Sequence, residues 1–343
     1  MERRSLFKNL GLAGLATALP LSSLLAETPS KISLAKHPFH RFKLGALELT
    51  IVTDGKITMK PVQPNFAPDV PAEQVAALLK NSFRSAEKIE LGINILVIRK
   101  DKQVILVDAG TGSYFGPDSG WLPQTLVDAG IPLSAVTDVV LTHAHPDHLG
   151  GLLSKDGKLV FANAQIHLAK IEQDFWLQEE PDFSKSRLTD KAVLLPIIGL
   201  IKKSLKGLQP RLRLFDHQSP LLGCIRLHLA AGHTPGHTLV EIFSGEETLM
   251  HIGDLVHSDV LLFPHPEWGF YGDTDFTEAA VTRRREMAAL AESRTKVLAY
   301  HLPWPGLGNV RKKDDGFEWV AETFAIPYAA GDNTTGADSG HRC

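Results

Sequence analysis

The sequence predicts a layered α/β fold, and three observations carry that prediction. Strand-like and helix-like stretches alternate along a body, residues 41–328, that no linker divides and in which no repeat recurs. Apolar residues make up 43% of the 343, enough for one large domain or two ordinary ones with a real core. Several of the expected strands run directly into short polar motifs built from His and Asp.

Residues 41–59 alternate polar and apolar side chains, as a half-buried strand does, and Asp54-Gly55 in their midst is a hairpin signal. Pro61, Pro64, Pro68 and Pro71 mark a loop, and residues 72–83 have helical periodicity. Residues 93–99 and 103–107 read as two strands joined by the polar turn Lys100-Asp101-Lys102 and ending at Asp108-Ala109-Gly110. A helix is expected over 122–129 and a buried strand over 136–141. A short strand at 165–168 and helices at 171–177 and 190–205 follow. Strands at 225–229, 238–243 and 248–252, a long helix at 277–292 and a last clear strand at 296–300 complete the series.

Charge and the chain ends narrow the function. With 36 basic and 39 acidic residues the formal charge is −3, which argues against nucleic acid as a partner. Residues 1–26 read as a bacterial export signal: Arg3-Arg4-Ser5-Leu6-Phe7-Lys8, a mild apolar run containing Pro20, then Ala26. The adjacent arginines resemble a twin-arginine signal and imply a periplasmic location. Residues 27–36 are a linker, 37–330 the folded domain and 331–343 a polar tail with the composition of disorder. No later stretch is long and apolar enough to span a membrane, so no stable insertion is expected once the signal is removed. Of the two cysteines, Cys224 sits in an alternating apolar stretch and reads as core, and Cys343 ends the tail. Neither a disulfide framework nor a cysteine zinc site is present. The oligomeric state is open, a homodimer included.

The chemistry concentrates in Thr142-His143-Ala144-His145-Pro146-Asp147-His148-Leu149-Gly150-Gly151. Two residues apart on extended chain, the His143 and His145 side chains point the same way and can reach one ion. Asp147 and His148 follow where Pro146 and the glycines signal a turn into a helix, from which they can face a second ion. Three later strands each end in a further donor: His233 in Gly232-His233-Thr234-Pro235-Gly236-His237, Asp254 after Gly253, and His301. Alone, each would read as a capping or surface group. Together they complete the donor set that two ions need.

This order, His143-x-His145-x-Asp147-His148, then His233, Asp254 and His301, resembles the signature of the metallo-β-lactamase superfamily. The resemblance implies a four-layer αββα sandwich with two divalent ions, Zn2+ first among them, at the strand ends along one edge. It assigns His143, His145 and His233 to the first ion, and Asp147, His148 and His301 to the second, with Asp254 bridging them. Asp108, at a strand end, either orients a ligand histidine or belongs to an ordinary turn. Superfamily members often carry Asp-x-Gly there, which favours the first reading. His237 reads as a supporting group, a substrate contact or plain loop.

Two such ions lower the pKa of a bridging water, and no Gly-x-Ser-x-Gly nucleophile elbow competes. The expected activity is therefore hydrolysis of an ester-type bond in a small molecule: an aryl ester, a lactone or an organophosphate triester. Phe115-Gly116-Pro117, Asp174-Phe175-Trp176 and the stretch from Ala231 to Thr238 resemble the methyl parathion hydrolase branch. By that resemblance Phe115 and Trp176 line a leaving-group pocket, with core packing as the alternative. A third family aromatic belongs near 194–197, where this chain is aliphatic. An ester or lactone therefore stands beside the organophosphate. Asp147, Asp254 and His257 form the expected catalytic set. His257 occupies the place of a lactonase tyrosine, either to donate to an oxyanion or to hold the loop that follows. The alternatives are an iron redox protein of the same fold, such as a persulfide dioxygenase, and a lactonase or β-lactamase proper.

Overall fold

The structure, a computed structural model, describes residues 37–323. The segments expected to be an export signal, a linker and a polar tail, with Cys343, lie outside the described residues. The chain opens with a hairpin of β1 (Phe39–Leu44) and β2 (Leu47–Met59), followed by α1 (Ala72–Asn81), β3 (Ile89–Lys100) and β4 (Gln103–Val107). Next come α2 (Leu122–Asp128), β5 (Asp138–Val140), the single-turn α3 (Pro146–Leu149), β6 (Gln165–Ala169), α4 (Lys170–Trp176), α5 (Lys191–Leu208) and β7 (Leu212–Phe215). The second half comprises β8 (Ile225–Leu229), β9 (Thr238–Ser244), β10 (Glu247–His251), α6 (Phe276–Ser293), β11 (Lys296–Leu298), β12 (Leu307–Lys313) and β13 (Gly316–Ala321).

The strands form two sheets, one running β1 to β7 in order and the other β13-β12-β11-β10-β9-β8. In the first sheet β4, β5, β6 and β7 are parallel, so each step needs a crossover, and α2, α3, α4 and α5 supply it. Alternation along β3 then sorts the core. Leu96 and Ile98 face the second sheet, where they meet Ile225, Val240 and Leu298. Ile93, Ile95 and Val97 face the other way, onto Leu122, Trp176, Ile201 and Leu205. On the far side of the second sheet, Val75, Leu79, Met287 and Leu290 of α1 and α6 cover Leu239, Val297 and Val310. Helices, sheet, sheet, helices: this is the four-layer αββα sandwich, built from period-two strands that bury both faces.

Two expectations need correction. Asp54-Gly55 does not turn the chain, because β2 runs through it with a bulge between Thr53 and Lys56. The first turn is Gly45-Ala46, with Gly45 at φ +53°. The dipeptide has another use. The buried Asp54 carboxylate accepts the N–H groups of Thr111, Gly120 and Leu122 and the Thr111 hydroxyl, at 2.7–3.2 Å. Orphaning one such buried donor costs about 1–3 kcal/mol, so four of them outweigh any local turn preference. Second, two strands follow the last clear one of the sequence, which spans Lys296–Leu298. The β12–β13 hairpin extends the sheet, and its charges, Arg311, Lys312 and Lys313, suit an exposed edge. They also mask its strand pattern.

Parallel pairing of β10 with β11, and two antiparallel steps from β10 through β9 to β8, point these three strands the same way. Their C-terminal ends carry Asp254, His301 and His233. Cys224 is buried and free, as a core residue should be.

Candidate metal centre

Four separate loops bring the seven donors together. After β5 the chain stays extended to His145 (φ −63°, ψ 153°), and Pro146 then opens α3 at a position where its missing N–H costs nothing. Extended chain before Pro146 aims His143 and His145 together, and the helical turn after it sends Asp147 and His148 to a second point. Close packing of this turn depends on Gly151, where a Cβ would stand 2.0 Å from the Ala109 carbonyl oxygen.

The result is two groups of donors, His143, His145, His233 and Asp254, and Asp147, His148, Asp254 and His301. The donor atoms of each lie within 4.8 Å of one another. In the first group His145 Nδ1 lies 2.9 Å from both His143 Nε2 and His233 Nε2, which are 3.2 Å apart. Asp254 Oδ2 is 3.2 Å from His233 Nε2. In the second, Asp254 Oδ1 lies 3.0 Å from His148 Nε2 and 3.3 Å from His301 Nε2, and Asp147 Oδ2 lies 3.3 Å from His301 Nε2. Donors on one tetrahedral zinc, with bonds of about 2.0–2.1 Å, stand roughly 3.3 Å apart. The spacing fits. His148 Nε2 and Asp254 Oδ1 are moreover buried without a hydrogen-bond partner, since their 3.0 Å approach lacks the geometry of one.

The outer ring nitrogens explain why the inner ones point inward. His148 Nδ1 faces Asp108 Oδ2 at 2.9 Å, His233 Nδ1 faces Asp273 Oδ1 at 2.8 Å, and His301 Nδ1 faces the Gly92 carbonyl oxygen at 2.9 Å. Thr142 donates its hydroxyl to Asp108 and so accepts from His143 Nδ1 at 3.0 Å. Each outer nitrogen must carry the proton, which leaves the lone pair on Nε2 for a cation. Asp108 thus orients His148, from a left-handed backbone at φ +65°. His237 supports the backbone: its Nε2 accepts the Asp254 N–H, and its Nδ1 lies 3.1 Å from the Ala230 carbonyl oxygen. Asp273 had no signal in the sequence, nor did Arg283, whose buried guanidinium holds the other Asp273 oxygen at 3.1 Å. Both belong to a loop and a helix without a motif.

An apolar cavity of about 210 Å³ opens onto both donor groups, touching His145, Asp147, His233, Asp254 and His301. Phe115 and Trp176 both line it, with Phe183, Leu194, Ile197 and Phe270. Trp176 is also fully buried in the helix-side core, so the pocket and packing readings hold together for it. His257 lines the cavity and contacts Asp254 Oδ2 through Nε2 at 3.1 Å, stacked between Phe270 and His301. A larger cavity of about 410 Å³, with Lys56, Arg84 and Lys88 among its lining residues, meets the centre only at His257 and His301.

The charges require cations. Burial alone would lower the histidine pKa values, yet Asp254 with Asp273 pushes His233 up to about 9, and Asp254 with Asp147 pushes His301 up to about 10. Burial and the neighbouring rings instead lower His145 to about 3. In metal-free protein, protons on His148, His233 and His301 balance the carboxylates. All three are raised above the ordinary 6.5, so this stabilisation is complete below about pH 6.5. For His233 and His301 it is lost as pH rises through about 9 and 10. Zinc added to metal-free protein at neutral pH must displace these protons. Calorimetry in two buffers of different ionisation heat should show net proton release, and affinity should climb toward pH 10. Zinc binding with no proton release would contradict the assignment.

The sequence profile of the metallo-beta-lactamase superfamily matches residues 89–301. A comparison with curated protein sequences gives no match. Among solved structures, AidC, a dizinc quorum-quenching lactonase in complex with a product N-hexanoyl-L-homoserine, is 42% identical, with a TM-score of 0.82 over 85% of this chain and 100% of that one. The hydrolase AbOPH of the beta lactamase superfamily is 30% identical, with a TM-score of 0.77 over 84% of this chain and 99% of that one. A probable metal-dependent hydrolase from Staphylococcus aureus, at 19% identity and a TM-score of 0.65 over 83% of this chain and 100% of that one, shares the fold. The matched profile begins at β3 and ends at His301, enclosing every donor of both groups, and the chain belongs to the metallo-β-lactamase superfamily.

Proposed function

We propose that this protein is an exported dizinc hydrolase that opens lactones bearing an apolar acyl chain. The carrying observation is the shared Asp254: two complete donor groups meet at one carboxylate on the floor of an apolar cavity. His143, His145 and His233 would hold one ion, Asp147, His148 and His301 the other, and Asp254 both. Zinc held there would supply a water nucleophile active at neutral pH and polarise the attacked carbonyl. The similarity to a dizinc lactonase favours zinc and a lactone.

The chain's own residues then do the following. Phe115, Phe183, Leu194, Ile197 and Phe270 take up the acyl chain and keep bulk water from the reacting carbonyl. Leu194 and Ile197 leave room for a flexible chain where an aromatic would favour a flat leaving group. Asp147, ionised and on the cavity wall, is placed to receive a proton from the attacking water and pass it to the leaving oxygen. His257 is neutral at physiological pH, because burial lowers it to about 4 despite Asp254. Its one proton, on Nε2, fixes the Asp254 carboxylate.

The wild-type enzyme should show its highest kcat/KM on an acyl homoserine lactone, ahead of an aryl ester and an aryl phosphotriester. Phe115 is partly exposed at the rim and cannot ligate, so Phe115→Ala should leave the metals in place. Loss of its contact should cost about 10–200-fold on a long-chain lactone and little on an unsubstituted γ-lactone. Equal losses on both, or a wild-type preference for the phosphotriester, would defeat this reading.

The export part of the proposal rests on Arg3-Arg4 and the apolar run after them. Replacing both arginines with lysine should leave full-length protein in the cytoplasm. Undiminished arrival in the periplasm would rule out a twin-arginine route.

A further inference from the structure

Glu172 has no place in the donor set, yet it is fully buried at the start of α4, against two of the loops that carry donors. Its Oε1 accepts the Ala144 N–H at 3.0 Å and the Trp176 indole N–H at 2.7 Å. Its Oε2 accepts the Thr234 hydroxyl at 2.7 Å and the Gly236 N–H at 2.8 Å. Ala144 lies between His143 and His145, and Thr234 follows His233. Every partner is a donor, three of them obligately so. A glutamine of the same shape satisfies one pair of donors and turns its own N–H groups on the other. The site specifies a carboxylate.

A second observation concerns how closely α4 approaches the same loop. A Cβ on Gly236 would stand 2.5 Å from Glu172 Cβ and 2.6 Å from its backbone nitrogen. No side chain fits there, so the loop carrying His233 rests directly on the helix backbone. Trp176, one turn further along α4, walls the cavity and meets the His145 ring edge-on at 5.6 Å. One carboxylate therefore holds the Ala144 N–H between His143 and His145, the Thr234 hydroxyl next to His233, and the indole that shapes the pocket.

We infer that Glu172 is a positioning residue that sets the first-ion histidines and the Trp176 wall in a single register. The ligand loops fix where His143, His145 and His233 point, and Glu172 fixes those loops relative to each other through α4. Metal affinity at the first site and binding of the acyl chain are thereby coupled through one side chain. The second donor group, which Glu172 does not touch, is independent of it. The substrate half of this inference rests on the lactonase reading, and the metal half does not.

The test uses full-length, zinc-loaded protein and the Glu172→Gln variant. Stepwise zinc removal by a competing chelator should show one ion bound about 10–100-fold more weakly, the other unchanged. At saturating zinc, KM for a long-chain lactone should rise severalfold while kcat changes less. Two single-donor variants separate the arms and serve if Glu172→Gln does not fold. Thr234→Val should weaken one ion and spare KM, whereas Trp176→Phe should spare both ions and raise KM. Wild-type affinity for both ions in Glu172→Gln, or in Thr234→Val if the former does not fold, would overturn the inference and leave Glu172 a packing group. If the metal arm holds while the wild-type enzyme ignores lactones, the substrate reading has failed and the positioning role has not.

Discussion

Asp254 lends one oxygen to each of two groups of histidines, and the rest of the structure is arranged around that shared carboxylate. A single buried carboxylate within 3.0–3.3 Å of His148, His233 and His301 is electrostatically tolerable only where positive charge surrounds it. His148 and His301 hold its pKa well below the ordinary range despite burial. The same pairing of charge runs outward. Asp108 and Asp273 are themselves fully buried and sit behind His148 and His233, and Arg283 sits behind Asp273. Carboxylates and bases alternate from the centre into the core, and two dications would satisfy the innermost layer.

This constraint gives the fold its task. Loops following β5, β8, β10 and β11 must deliver donors to points a few ångströms across, although the residues concerned are spread from His143 to His301. Two sheets packed face to face, each braced by helices, fix the strand ends. Short hydrogen bonds from backbone to buried side chains then fix the loops. Asp54 performs that service for the loop between β4 and α2, and His237 for the backbone of Asp254. A polar group buried this way is costly unless every hydrogen bond is made. Placing such groups around the centre confers rigidity where ligand geometry demands it.

How much of this the sequence disclosed depended on how local each signal was. His143, His145, Asp147 and His148 crowd into six residues and announce a metal site by spacing alone. His233, Asp254 and His301 were legible because each closes a strand-like run. The layered architecture was legible because apolar periodicity survives in β3, β4, β8 and β9. Asp54-Gly55 misled because a bulge and a hairpin share the same dipeptide, and which forms is decided by a loop far along the chain. The β12–β13 hairpin at the end of the second sheet is hidden in the sequence behind its surface charges. Asp273, Arg283 and Glu172 carry no motif, for their roles exist only once distant loops have met.

Whether Asp254 serves both ions is tested most directly by the metal content of purified Asp254→Asn beside wild type. Wild type should carry two zinc ions per chain. The variant, with one shared anionic donor replaced by a neutral amide, should lose affinity for both in parallel. One ion per wild-type chain, or a variant that releases one ion and keeps the other at full affinity, would contradict the shared-carboxylate centre.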